Sequence, residues 1–153
     1  MKGFYDAYKY SGGERWKETA SVPPMLYSTH SVGGVLSVLG THAVAVSCIG
    51  YHDTRGDGVF DKEISMFNND FSNASALYSL ADGGSMRINE FRRVGYPGGF
   101  RESRYRFFGT EASFEQFSTT TLWQDRGGVE DITARLVTQK TIASDDESLK
   151  GRR

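Results

Sequence analysis

Glycine is the feature that most constrains this chain. Eighteen of its 153 residues are glycine and only 3 are proline. The glycines fall between short runs of aromatic and β-branched residues. Inside a helix each would cost about 1 kcal/mol relative to alanine, whereas in a turn its missing side chain is an advantage. The pattern therefore dictates short strands joined by turns. Only Ser31–Leu39 keeps a helical period, with Val32, Val35, Leu36 and Leu39 at i, i+3, i+4 and i+7. Ser31 stands at the N-cap position and Gly40 just past the end. The adjacent Gly33 and Gly34 predict that something packs close to that helix backbone.

The remaining segments read as strands. Phe4–Tyr10 alternates aromatic residues until Ser11-Gly12-Gly13 breaks it. Pro23-Pro24 bars a regular helix over Ser21–Tyr27. Ala43–Tyr51 is a continuous apolar run, which predicts a buried strand with Cys48 as a small core residue. His52–Asp61 reads as a loop. Ala74–Ala81 and Ser85–Val94 flank Asp82-Gly83-Gly84, the strongest hairpin signal in the chain. Gly95–Gly99 is a second turn. Arg104–Phe108 and Ala112–Phe117 flank Gly109-Thr110-Glu111, and Thr119–Gln124 extends that sheet. The expected fold class is α+β, an open, mostly antiparallel sheet with few short helices. It is expected as a single domain over 1–143, followed by a polar tail over 144–153. With about seven strands and one short helix in that reading, one sheet face is left to solvent, another chain or another domain.

Charge and motifs narrow the chemistry. A net charge of −1 gives no general attraction to polyanions. Cys48 is the only cysteine, so neither an internal disulfide nor a Cys-rich zinc module can form. No apolar run approaches the ~20 residues of a membrane span. Met1–Asp6 lacks the apolar core of a secretion signal, and a reducing, cytoplasmic setting is expected. The sequon Asn73-Ala74-Ser75 is then idle. Neither GxGxxG nor GxxxxGK[ST] occurs, nor GxSxG or HExxH. His30, His42 and His52 share no metal-ligand spacing. Asp53, Asp57 and Asp61 lie four apart, whereas a calcium loop needs acids two apart.

Two features invite a functional reading. Tyr27-Ser28-Thr29-His30 joins the Pro-Pro extension to the glycine-bearing helix, a junction where polar side chains meet solvent. Histidine there can exchange protons and tyrosine can hydrogen-bond a substrate; the plainer reading is a helix-start histidine bonded to a carbonyl. From Arg87 to Arg106 run Arg87, Arg92, Arg93, Arg101, Arg104 and Arg106, interleaved with Phe91, Tyr96, Phe100 and Tyr105. Such a stretch can grip single-stranded nucleic acid, but near-neutral net charge favours an ion-paired surface, and no nucleic acid is expected.

The stretch PPMLYSTHSVGGVLSVLG resembles the C-terminal domain of the glucose–fructose oxidoreductase / inositol dehydrogenase (Gfo/Idh/MocA) family. It is most similar to the branch of NAD-dependent glycosidases of the α-N-acetylgalactosaminidase type, which carries Tyr-Pro-Thr-His where this chain has Tyr27-Ser28-Thr29-His30. The later SRYRFFGTEASFE resembles the family's hairpin, and the likeness covers roughly residues 3–124. By resemblance, His30 is an acid/base candidate and Tyr27 and Arg15 hold substrate hydroxyls. Ser28 and Thr29 add hydrogen bonds, and Arg101 or Tyr96 lines a far wall. Members also carry a dinucleotide-binding Rossmann domain and a Glu-Lys-Pro segment with a catalytic lysine. Neither is in this sequence, so the expectation is a truncated C-terminal domain, inactive alone and binding no cofactor itself. Its parent would use NAD(P) on a sugar or polyol, by hydride transfer or by glycosidic cleavage through transient oxidation. A homo-oligomer paired through the sheet is implied. The competing readings are a free-standing carbohydrate- or polyanion-binding module and a structural oligomerisation domain.

Overall fold

The computed structural model describes residues 9–10, 12–93 and 103–138, with side chains to 136. Within them, the glycine turns set the architecture. The chain divides into two compact units, Met1–Gly99 and Phe100–Arg153. The first holds a three-stranded sheet in the order β1-β2-β3, from β1 (Ala43–His52), β2 (Phe71–Leu80) and β3 (Ser85–Phe91). The second holds a four-stranded meander of β4 (Arg106–Phe108), β5 (Ser113–Gln116), β6 (Thr121–Asp125) and β7 (Gly128–Asp131). Every pairing among the described residues is antiparallel. Helices are short: α1 (Trp16–Ala20) entered through a 3-10 turn at Gly13–Arg15, α2 (Val32–Leu39), and α3 (Thr133–Thr138). No described helix is long and apolar enough to cross a membrane. The mostly antiparallel, helix-poor architecture agrees with the sequence, although the strands form two sheets rather than one.

In the first unit the Asp82-Gly83-Gly84 hairpin forms where its residues dictate. Gly83 adopts φ +85°, and the Asp82 carboxylate accepts the Gly84 N–H at 3.0 Å. The hairpin presents Leu80, Met86 and Ile88 on one face, where they are buried against Val32, Val35 and Leu36 of α2 and against Met25. Each such side chain contributes about 1.5–3 kcal/mol on full burial. Gly40 ends α2 as read, at φ +65° with its N–H on the Leu36 carbonyl at 2.9 Å. The close approach expected at the glycine pair is not found at Gly33, where an added Cβ would meet nothing within 4 Å. Gly33→Ala should therefore raise the unit's stability by about 0.5–1 kcal/mol, read as a higher urea midpoint with an unchanged slope. A lower midpoint would show that the helix backbone is contacted there.

The buried strand expected over Ala43–Tyr51 forms, but it is not buried. Ile49 is 81% exposed, Val46 is 58% exposed, and Cys48 is on the surface rather than in the core. The register gives the reason. Val46 pairs with Tyr78 and Cys48 with Ala76, on the sheet face that α2 also uses. The helix covers the β3 side of that face, and of β1 it is Ala43 at one end that packs against the buried cluster. Ser47, Ile49 and Tyr51 turn to the opposite face beside Leu77, which is 61% exposed. An apolar strand at a sheet edge reads in sequence like one at the centre.

In the second unit, Gly109 closes β4 onto β5 with its N–H on the Ala112 carbonyl at 2.9 Å. Phe107, Phe114 and Trp123 follow one cross-strand line. Sequence reading missed β7, whose Val129-Glu130-Asp131 carries little apolar pattern, and α3 beyond it. The Phe4–Tyr10 strand falls largely outside the described residues. Its last two, Lys9 and Tyr10, are helical instead, as is Gly12. The Lys9 ammonium lies over the Trp16 ring at 5.2 Å. The Gly95–Gly99 turn and the 144–153 tail also lie outside the described residues.

Candidate functional site

Segment 23–31 is built by local rules. Pro24 holds the second position of a turn in which the Leu26 N–H meets the Pro23 carbonyl at 3.0 Å. The Ser28 carbonyl then accepts the Val32 N–H at 2.8 Å and the Gly33 N–H at 3.4 Å, closing the first turn of α2. Tyr27 and His30, three apart, are thereby brought to one side. Both are exposed, and their rings meet edge to face at 5.7 Å and 72°. Thr29 is exposed and Ser28 half-buried between them. Arg15 is engaged elsewhere: its guanidinium grips the Glu18 carboxylate through bonds of 2.8 and 2.6 Å. That fork raises the pKa of Arg15 and lowers that of Glu18.

The structure ties two residues of the arginine-rich stretch, Glu90 and Arg92, to this segment. The Ser31 hydroxyl donates to the Glu90 carboxylate, and the Arg92 guanidinium donates to the Pro24 carbonyl at 3.3 Å. The same Arg92 nitrogen lies 3.9 Å from the other Glu90 oxygen. Glu90 and Arg92 are two apart, which puts both on one face of extended chain; that spacing was the available signal. Ser31 occupies the N-cap position without making the cap bond, and its hydroxyl proton goes to Glu90.

The arginine stretch is largely committed to partners. Arg93 is 4% exposed and bonds to Asp53 and Asp57, and Arg106 lies 3.6 Å from Glu115 and over the Phe117 ring. Arg101, Tyr96 and Phe100 lie outside the described residues. Asn73 of the sequon is buried, with its carbonyl accepting the Arg92 and Arg93 N–H groups.

The 53–70 connection holds the remaining polar cluster. His52 Nδ1 meets Asp70 at 2.9 Å, and Lys62 approaches the same oxygen at 3.4 Å. Burial would raise the Asp70 pKa, but the hydrogen bonds from His52 and Lys62 outweigh it and hold the carboxyl below its ordinary range. An open depression of about 500 Å³ runs from Asp53 through Gly58 and Phe60 to Asp70. Among the described residues, no group of three or more His, Cys, Asp or Glu is placed to hold a metal. At the start of α2 the Val32 and Gly33 N–H groups are both taken by the Ser28 carbonyl.

No protein-family model matches the sequence, and no curated protein aligns with it significantly.

Proposed function

We propose that this chain is the substrate-binding and assembly domain of an NAD(P)-dependent oxidoreductase acting on a sugar or polyol, of the glucose–fructose oxidoreductase / inositol dehydrogenase type. One observation carries the reading: the Tyr27–His30 ring pair, exposed at the head of α2 with Ser28 and Thr29 between its members. An imidazole beside a phenol and two hydroxyls suits a polyhydroxylated ligand. The imidazole can take a proton from a reacting hydroxyl, and the others can fix the ring's orientation. In this reading the nucleotide is held by a separate domain, and this chain supplies substrate contacts and a proton site. Ile49, Tyr51 and Leu77, exposed on one face of the sheet, support the assembly role, because exposed apolar surface marks a contact site.

The 153-residue chain should bind glucose or sorbitol weakly, with NMR shifts centred on Tyr27, Thr29 and His30, and His30→Ala should erase them. Titration with NAD or NADH should give no response. The gene product as the cell makes it should release a nicotinamide nucleotide on denaturation. Tight nucleotide binding by this chain, or sugar-induced shifts confined to another region, would sink the reading.

A further inference from the structure

We infer that Glu90 and Arg92 are positioning residues that set the geometry of the Tyr27–His30 turn from the end of β3; the inference rests on the reading of that turn as a sugar or polyol site. The segment that carries Tyr27 and His30 is held at both ends by side chains two positions apart. Arg92 takes the Pro24 carbonyl at 3.3 Å before the turn, and Glu90 takes the Ser31 hydroxyl after it. The post itself is fixed, because the Arg92 N–H bonds to the Ser72 carbonyl at 2.9 Å and to the Asn73 side chain at 3.1 Å. Ser72 and Asn73 belong to β2 and are buried.

The Ser31 hydroxyl is the link. At a helix N-cap a serine oxygen ordinarily accepts an N–H of the first turn. Ser31 makes no such bond. It faces two acceptors, the Ser28 carbonyl at 3.3 Å and the Glu90 carboxylate. One proton serves one strong bond, and the charged oxygen is the better acceptor. The hydroxyl thereby ties the turn to the sheet. The second Glu90 oxygen faces Arg92, which keeps the carboxylate oriented toward Ser31. Glu90 and Arg92 act on the turn through the Ser31 hydroxyl and the Pro24 carbonyl that they hold.

The test uses the whole chain. The Tyr27 ring current should displace the His30 ring-proton shifts in the NMR spectrum, and Tyr27→Leu should remove that displacement. Ser31→Ala and Glu90→Ala should each remove at least half of that shift and weaken glucose or sorbitol binding about tenfold. Glu90→Gln, which keeps an acceptor oxygen, should restore both. Amide shifts of Val32–Leu39 should stay put in all three, which separates repositioning from unfolding. An unchanged ring shift in both alanine variants overturns the inference. If the ring shift collapses while no form of the chain binds either probe, the positioning role stands and the sugar reading fails.

Discussion

Arg93→Ala should destabilise the Met1–Gly99 unit by about 3–5 kcal/mol at neutral pH, because it strips a buried carboxylate of its counter-charge. Arg93 makes bonds of 2.7 Å to Asp53, 2.7 and 2.6 Å to Asp57, and 2.9 Å to the Val59 carbonyl. Its guanidinium also lies over the Phe60 ring at 5.3 Å. The two acids are not equivalent. The Asp53 side chain is 3% exposed and would be stranded, whereas that of Asp57 is 44% exposed and would rehydrate. Asp53 therefore carries most of the expected loss. Arg93→Lys should recover only part of it, since one ammonium cannot span both carboxylates and a carbonyl. The pH dependence has a definite sign. The Arg93 hydrogen bond, against burial, holds the Asp57 carboxyl below its ordinary range, helped by the Val59 N–H and by Lys17. A depressed carboxyl contributes stability above its unfolded pKa of about 3.9, and that stability is lost as pH falls toward the lower folded value. Urea melts at pH 7 and pH 3 should show the wild type losing stability in acid and the Arg93→Ala variant losing less. A neutral-pH loss under about 1 kcal/mol would show that the contact is only superficial.

Gly50→Ala should cost about 1–3 kcal/mol, although alanine is the smallest side chain that can be added. An added Cβ would fall 2.4 Å from Phe71 Cδ1, with Cε1 and Cγ at 2.8 and 2.9 Å. The ring cannot yield freely. It is packed on His52 at 4.3 Å, and His52 is held by Asp70. Phe71→Ala in the same chain should relieve the clash, so the double variant should be less destabilised than the sum of the two single ones. Strict additivity in thermal melts would show that Gly50 is not there to admit the ring. The contrast with Gly33→Ala is informative, because the same substitution is expected to change stability in opposite directions at two glycines of one unit.

Local rules explain what was legible. The hairpins at Asp82-Gly83-Gly84 and Gly109-Thr110-Glu111, the α2 stripe and the Gly40 terminus all depend on residues within a few positions of one another. So does the juxtaposition of Tyr27 with His30. What was not legible depends on distant partners. The apolar content of β1 said strand, but nothing in it said that α2 would cover β3 instead. Asp53 and Asp57 looked like an unexplained acid run because their partner, Arg93, lies 40 and 36 positions away. Arg93 in turn looked like one member of a basic surface. Glu90 and Arg92 were hidden in the same stretch, and the contact between Ser31 and Glu90 spans 59 positions. Strand β7 failed for another reason, since it is short and acidic and is held chiefly by its pairing with β6.

The unequal connections within the three-stranded sheet imply an order of assembly. β2 and β3 are joined through residues 81–84, whereas β1 reaches β2 only after the 53–70 connection. Closing the longer loop carries an entropy cost greater by about 1 kcal/mol, so the β2–β3 hairpin zips first and β1 docks last. During that interval the most apolar strand of the unit has both backbone edges unpaired. A nascent or heated chain is then most exposed to strand exchange with its neighbours at Ala43–His52. The His52–Asp70 contact stands where the long loop meets the sheet, at the point where that strand must dock.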